Sequence, residues 1–276
     1  MQAVSAPDKC IALCLDDFGL HQGVNQAALQ LANHDRITAI SCMVGAPHWR
    51  GGTARLAQLP PDRVDVGLHL DFTEHPLNPA ARRTLPALIA LAGARLLDRA
   101  LIRSEILAQL EAFEQALGRE PAHVDGHQHI HQFPVIREEL IAVLLERYPR
   151  RRPWLRRTKR PSGLRGFKPW LIERLGCDAF SQLARGHGFP QNESLLGVYG
   201  FQGDAARYAG HLAQWLGMAQ HGDLLMCHAG GSAPVRDPIM AARSNEWQVL
   251  AGTAFSDLLA QAGIRLAPLS RLKPRA

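Results

Sequence analysis

The sequence predicts an α/β fold, a single domain built on a parallel sheet. Strand-like and helix-like stretches alternate about seven times over 276 residues, the pattern of parallel strands joined by helices. The strand candidates are short, near-continuous apolar runs, as expected of strands covered on both faces. No Gly/Ser/Pro-rich linker divides the chain, and a hydrophobic content of 46% suits one sizeable core.

Taken in order, residues 9–15 form an apolar run that stops at Asp16-Asp17-Phe18-Gly19. Residues 24–34 read as a helix, and 37–44, enriched in Ile and Thr, as a second strand. Residues 49–58 fit a short helix halted by Pro60-Pro61, and 64–70 a third strand carrying His69 near its end. Pro76, Pro79 and Pro86 make the next stretch a loop, followed by a helix over 88–97. Residues 101–117 are the clearest helix, because Ile102, Ile106, Leu110, Phe113 and Leu117 recur at threes and fours. A strand at 122–126 leads into a histidine-rich turn, and Pro134 begins a helix over 135–148. A strand at 154–158, mostly helix over 169–186 and a weak strand at 195–199 come next. A helix at 204–220 capped by Asp204, a strand at 223–228, a helix at 244–261 broken at Gly252 and a strand at 264–269 complete the chain.

The polar residues fall at one kind of place. Asp16 and Asp17 follow the first strand, His69 ends the third, Asp125 and His127 end the next clear one, and His228 ends a later one. In a parallel β/α barrel the carboxyl ends of all strands open onto one face, where active sites are built. Four sequence-distant clusters would meet there. The densest is His123-Val-Asp-Gly-His-Gln-His-Ile-His131. Imidazoles so crowded need partners once they leave water, and a metal ion supplies one. On two-residue spacing in an extended segment, His127, His129 and His131 would share a face.

A carboxylate and two imidazoles make a facial set of three metal ligands with open positions for water and substrate. The expected set is Asp17, His69 and His127, holding one divalent ion. Asp16 is then free to take a proton from the attacking water, and His228 to protonate a leaving group or stabilise an oxyanion. Asp125 is placed to hold a ligand imidazole by its other nitrogen. His129 and His131 are open between a substrate contact, a supporting role and no role. His21, His34, His48, His75, His187, His211 and His221 are expected to be solvated. Together these parts describe hydrolysis at a carbonyl.

The net charge is +6, with much of the excess in residues 147–165. That run is short and interrupted by Pro149, Pro153 and Pro161, with no nucleic-acid module beside it, so it reads as a solvated basic loop. No GxGxxG follows the first strand, which weakens a dinucleotide-binding reading. No apolar run is long enough for a transmembrane helix. The N-terminal residues lack the basic and apolar regions of a signal peptide. Five cysteines without a CxxC pair read as buried, reduced thiols of a cytoplasmic protein.

Asp16-Asp-Phe-Gly-Leu20, Gly67-Leu-His-Leu70, the histidine-rich segment with Phe133-Pro134, and Met226-Cys-His-Ala-Gly230 resemble the YdjC-like (ChbG/HpnK) carbohydrate deacetylase family. The resemblance runs from about residue 9 to about residue 269 and makes the whole of 1–276 one domain. It implies a barrel of the glycoside hydrolase/deacetylase type, distorted or seven-stranded. It also implies one divalent metal, magnesium or zinc, and removal of an acetyl group from an N-acetylated sugar. The metal residues then fall on Asp17, His69 and His127, the acid-base aspartate on Asp16, and the late histidine on His228. Ala229 stands where the family has proline, which predicts a looser loop around His228.

Two rival functions remain at this stage: a two-metal phosphoesterase, and a glycan-binding protein without turnover. The partner expected is the sugar substrate, with neither nucleic acid nor stable membrane insertion. A homodimer is also compatible with the sequence.

Overall fold

A computed structural model describes residues 9–233 and 236–272. The N-terminal reading made on residues 1–8 lies outside them.

Eight parallel strands make one curled sheet. The strands are β1 (Lys9–Phe18), β2 (Ala39–Cys42), β3 (Asp65–Leu70), β4 (His123–Gly126), β5 (Trp154–Leu155), β6 (Leu195–Leu196), β7 (Leu224–Cys227) and β8 (Ile264–Leu266). Their order is β5-β4-β3-β2-β1-β7-β6, with β8 on β1. The two ends of this row approach each other. Leu155 bridges to Gln191, and the Leu195 amide donates to the Lys159 carbonyl at 2.6 Å. The result is the parallel α/β sheet that the alternation of elements predicted, curled into the distorted barrel that the family resemblance implied. β1 is central, paired with β2, β7 and β8. Of its ten residues only Lys9 is not buried, which is why its sequence reads as an unbroken apolar run.

Helices cover the sheet in the order α1 (Gln22–Asn33), α2 (Trp49–Ala57), α3 (Leu85–Gly93), α4 (Arg99–Leu117), α5 (Ile136–Arg147), α6 (Phe167–Arg174), α7 (Cys177–Gly186), α8 (Ala205–Met218), α9 (Met240–Ala251) and α10 (Ala254–Gln261). α4 starts where Asp98 accepts from the Ala100 and Leu101 amides and stops at left-handed Gly118. It buries Ile102, Ile106, Leu110, Phe113 and Leu117, each contributing about 1.5–3 kcal/mol of transfer free energy. Phe113 stacks on Trp49 of α2 at 6.1 Å. Asp204 caps α8 through the Arg207 amide.

Several boundaries differ from expectation. β1 does not stop at Leu15 but runs on through Asp16 and Asp17, with a register shift against β2 between Leu15 and Phe18. α3 begins at Leu85 rather than residue 88, because Pro86 occupies its first turn instead of breaking it. The helix expected over 169–186 is two helices, separated at Gly176 with φ +138°. α9 starts four residues earlier than expected, and its break at Gly252 falls where the sequence placed it. β5 and β6 keep two residues each.

All five cysteines are free and buried. Among the described residues, no helix is long and apolar enough to cross a membrane.

Candidate active site

The carboxyl ends of β1, β3, β4 and β7 open into a cavity of about 610 Å³, a size typical of small-ligand sites. Asp16, Asp17, His69, His127, His129 and His228 all line it. Asp17 sits in the β1 irregularity with φ +69°, a left-handed conformation uncommon for a non-glycine residue.

Asp17 Oδ1 lies 3.0 Å from His127 Nδ1 and 3.3 Å from His69 Nε2. These three donor atoms are within 4.8 Å of one another. Asp125 Oδ1 lies 2.7 Å from His69 Nδ1. A hydrogen bond there keeps a proton on Nδ1, so Nε2 is the nitrogen turned toward Asp17, where a cation could take the place of a second proton. Glu74 Oε1 lies 3.2 Å from His127 Nε2. Glu74 is held by its loop: the buried Asp71 carboxylate accepts from the Thr73, Glu74 and His75 amides. On α4, Glu105 takes the Leu77 and Asn78 amides, while Gln109 takes that of Asp71.

The electrostatics call for positive charge. Burial opposes protonation of His69, but Asp125 and Asp16 outweigh it and lift its pKa to about 9. His127 is also raised, against burial, chiefly by Asp17. Burial would raise Asp17, yet Arg243 and His127 push it well below the usual carboxylate range. Among the described residues, Asp16, Asp17 and Asp125 face two buried guanidiniums, Arg156 and Arg243, besides the imidazoles of His69 and His127. A divalent cation fits that donor set and that imbalance.

Two further groups have ligand-type atoms close together: Cys14, His123 and Asp125, and Asp16, His69 and Asp125. Arg156 already occupies their charge. It is fully buried and donates to both Asp16 oxygens at 2.6 Å. Its Nη2 also lies 2.5 Å from Asp125 Oδ2 and 3.3 Å from Cys14 Sγ. Burial pushes the Cys14 thiol up, away from the thiolate that a metal needs. His123 stacks on Trp154 at 4.2 Å and reaches Ser41 Oγ at 2.9 Å, and Ser41 donates to Asp125. This second cluster is a buried, charge-paired polar network beneath the site, with His123 Nδ1 and Arg156 Nε left without a hydrogen-bond partner among the described residues. Asp16 is therefore not the free carboxylate that the sequence suggested.

The histidines of the turn separate. β4 ends at Gly126, and Gln128 and His129 take positive φ values of 56° and 61°. The segment is therefore not extended, and the rings do not share a face. His127 joins Asp17 and His69. His129 lines the cavity, with Nδ1 buried and unpartnered among the described residues. His131 bonds through Nε2 to the Arg156 carbonyl at 2.9 Å and packs edge-on against Phe180.

His228 packs edge-on against Phe201, and burial lowers its pKa to about 4, so the ring is neutral at pH 7. The loop around it is tied down despite Ala229. The His228 amide donates to Glu246 at 2.5 Å, and Arg243 Nη1 donates to the His228 carbonyl at 3.2 Å. The Gly231 amide donates to the Gly23 carbonyl at 3.0 Å, an approach that a Cβ on Gly23 would block.

Sequence reasoning missed three residues. Arg156 belongs to the run read as a solvated basic loop. Its signal was position, directly after the apolar pair Trp154-Leu155 at a strand end. Glu74 follows β3 in the same way. Arg243 lies inside a helix and carried no local signal. His21, expected in solvent, is buried. Its Nδ1 caps α1, and its Nε2 faces Asp237 at 3.2 Å. His75 lines the cavity with Leu85 and Ile89 of α3, so the segment after β3 forms one wall of the opening.

A family model described as YdjC-like protein matches residues 10–261. A human protein named carbohydrate deacetylase is 28% identical over 98% of this chain and 93% of its own length. A chitooligosaccharide deacetylase of Enterobacter sp. (strain 638) is 31% identical over 47% of this chain and 53% of its own. In fold, the chain is similar to the crystal structure of a candidate cellobiose-phosphate cleavage protein from Enterococcus faecalis V583. That match has TM-score 0.67 and 18% identity, covering 95% of this chain and 98% of the other.

Proposed function

The chain belongs to the YdjC-like protein family, and from that premise we propose that it is a metal-dependent hydrolase removing an acetyl group from an N-acetylated sugar or oligosaccharide. The observation that carries the reading is the meeting of Asp17, His69 and His127 around one point in an open cavity. The names of the human and Enterobacter relatives supply the substrate class. The bond broken is a linear amide C–N bond. The chain acts as one domain over about residues 9–269, and a cytoplasmic location fits five buried, free thiols.

Asp17, His69 and His127 would hold one divalent ion, zinc or magnesium; the two imidazoles favour zinc, a carboxylate and waters suit magnesium. When bound, such an ion polarises a carbonyl and makes a nearby water acidic enough to attack at neutral pH. Asp16, which lines the same cavity, would accept the proton of the attacking water. Arg156 donates to both Asp16 oxygens, so the base is held in orientation. Asp125 holds His69 in the tautomer whose Nε2 faces the centre. His228 begins turnover neutral. It can donate a hydrogen bond to the developing oxyanion or, after gaining a proton during turnover, pass it to the departing amine. His129 and the α3 wall, which line the cavity, would touch the sugar, and His131, bonded to the Arg156 carbonyl, would support the turn.

The two-metal phosphoesterase reading is weakened, because a guanidinium stands where a second cation would bind. The test is acetate release across a panel of N-acetylated sugars and oligosaccharides, repeated with chelator and with metal restored. Chelator-sensitive acetate release is expected. Metal-replete protein that binds sugars yet releases no acetate from any of them would replace this reading with a glycan-binding one.

A further inference from the structure

We propose that Arg243 is a positioning residue that restricts Asp17 to a single free carboxylate oxygen and thereby sets how tightly the cation is held. The inference rests on Asp17 being a metal ligand, as proposed above.

Arg243 projects from α9 and is only 2% exposed. Its guanidinium is fixed at three points: Nη2 to Asp17 Oδ2 at 2.8 Å, Nε to Asp237 Oδ2 at 2.5 Å, and Nη1 to the His228 carbonyl at 3.2 Å. Asp237 is itself faced by His21 Nε2. The fork is therefore anchored from the loop after β7 and from the start of α1, independently of Asp17. Its planar donors then take one oxygen of Asp17 and leave Oδ1 toward His69 and His127. Without the clamp the Asp17 carboxylate keeps only its Oδ1 contacts to His127 and His69 among the described residues, and Oδ2 loses the donor that turns it away from the centre.

The charge of Arg243 acts in the opposite sense to its geometry. A guanidinium beside a cation site repels the cation, so deleting the charge alone would tighten binding. Loss of orientation would loosen it, by about 10–100-fold on the scale seen when a partner of a metal ligand is removed. The sign of the change therefore separates a clamp from a bystander.

The experiment is Zn²⁺ affinity by competition with a chromophoric chelator, on the full chain, with thermal melts of the metal-free proteins. Arg243→Ala is expected to bind Zn²⁺ about 10–100-fold more weakly. Guanidinium ion at low concentration, but not an equal amount of sodium chloride, should recover part of the loss. Arg243→Lys keeps the charge without the fork and should remain weakened. Asp237→Asn frees one anchor and should weaken binding by a few fold. Unchanged or tighter binding in Arg243→Ala with a native melt overturns the proposal. If that variant does not fold, wild-type affinity in both Arg243→Lys and Asp237→Asn overturns it instead. His69→Ala is the control. If it keeps its Zn²⁺, the ligand set itself is wrong; if it loses Zn²⁺ while the Arg243 variants bind normally, only the clamp falls.

Discussion

Two clusters on neighbouring strands offer a cation nearly the same welcome. Asp17, His69 and His127 face the cavity, while Cys14, His123 and Asp125 lie beneath them, fully buried. Both pass a test of ligand type and spacing. They differ in what already fills them. The lower cluster is closed by Arg156, Ser41 and Trp154, and its histidine is held neutral, with burial lowering the pKa to about 4. In the upper cluster both histidines are pushed toward protonation. Proximity of donors does not by itself identify a metal site. Residual negative charge and an open approach do.

The comparison breaks most sharply by removing ligands. His69→Ala or His127→Ala should lose the metal by elemental analysis and cost roughly 10³-fold in acetate release, the scale of several kcal/mol. Cys14→Ala should keep wild-type metal stoichiometry. A metal lost from Cys14→Ala and kept in His69→Ala would exchange the roles of the two clusters.

Arg156→Met tests what closes the lower cluster. It leaves Asp16 and Asp125 buried without their countercharge, and denaturant unfolding should show a loss of about 3–5 kcal/mol. A loss under about 1 kcal/mol would mean that Arg156 contributes little to the network.

Asp16→Asn separates base from ligand. Metal content should hold while turnover falls about 10²-fold or more. A fully active variant removes Asp16 from the chemistry.

A further effect, read in stability rather than in turnover, concerns Glu246, beneath His228. Burial raises its pKa from the ordinary 4.5 to about 7. Below pH 4.5 both folded and unfolded chains hold the proton, so nothing is lost. Between 4.5 and 7 the unfolded chain gives it up first, and folding stability falls as pH rises. The full cost, on the order of 3 kcal/mol, is present above pH 7. Glu246→Gln should flatten that part of the stability profile between pH 5 and 8. An unchanged slope would assign it to other groups.

Much of this was legible along the chain. The unbroken apolar run of β1, the threes and fours of α4 and the cap at Asp204 each follow from contacts within a few residues. So did the placement of Asp17, His69, His127 and His228 at strand ends. What misled was local: Pro86 read as a loop breaker where it starts a helix, and the spacing of His127, His129 and His131 read as extended. Both errors come from backbone choices that neighbouring strands and helices decide.

The sequence by itself determined the parallel architecture and which polar residues meet at one end of it. Periodicity and strand polarity require no knowledge of partners. Only the tertiary structure decided which of those residues stay available. Arg156 reaches Asp16 across 140 positions, and Arg243 reaches Asp17 across 226. No local pattern encodes an ion pair at such separation, because the energy that forms it exists only once folding has excluded water from both partners.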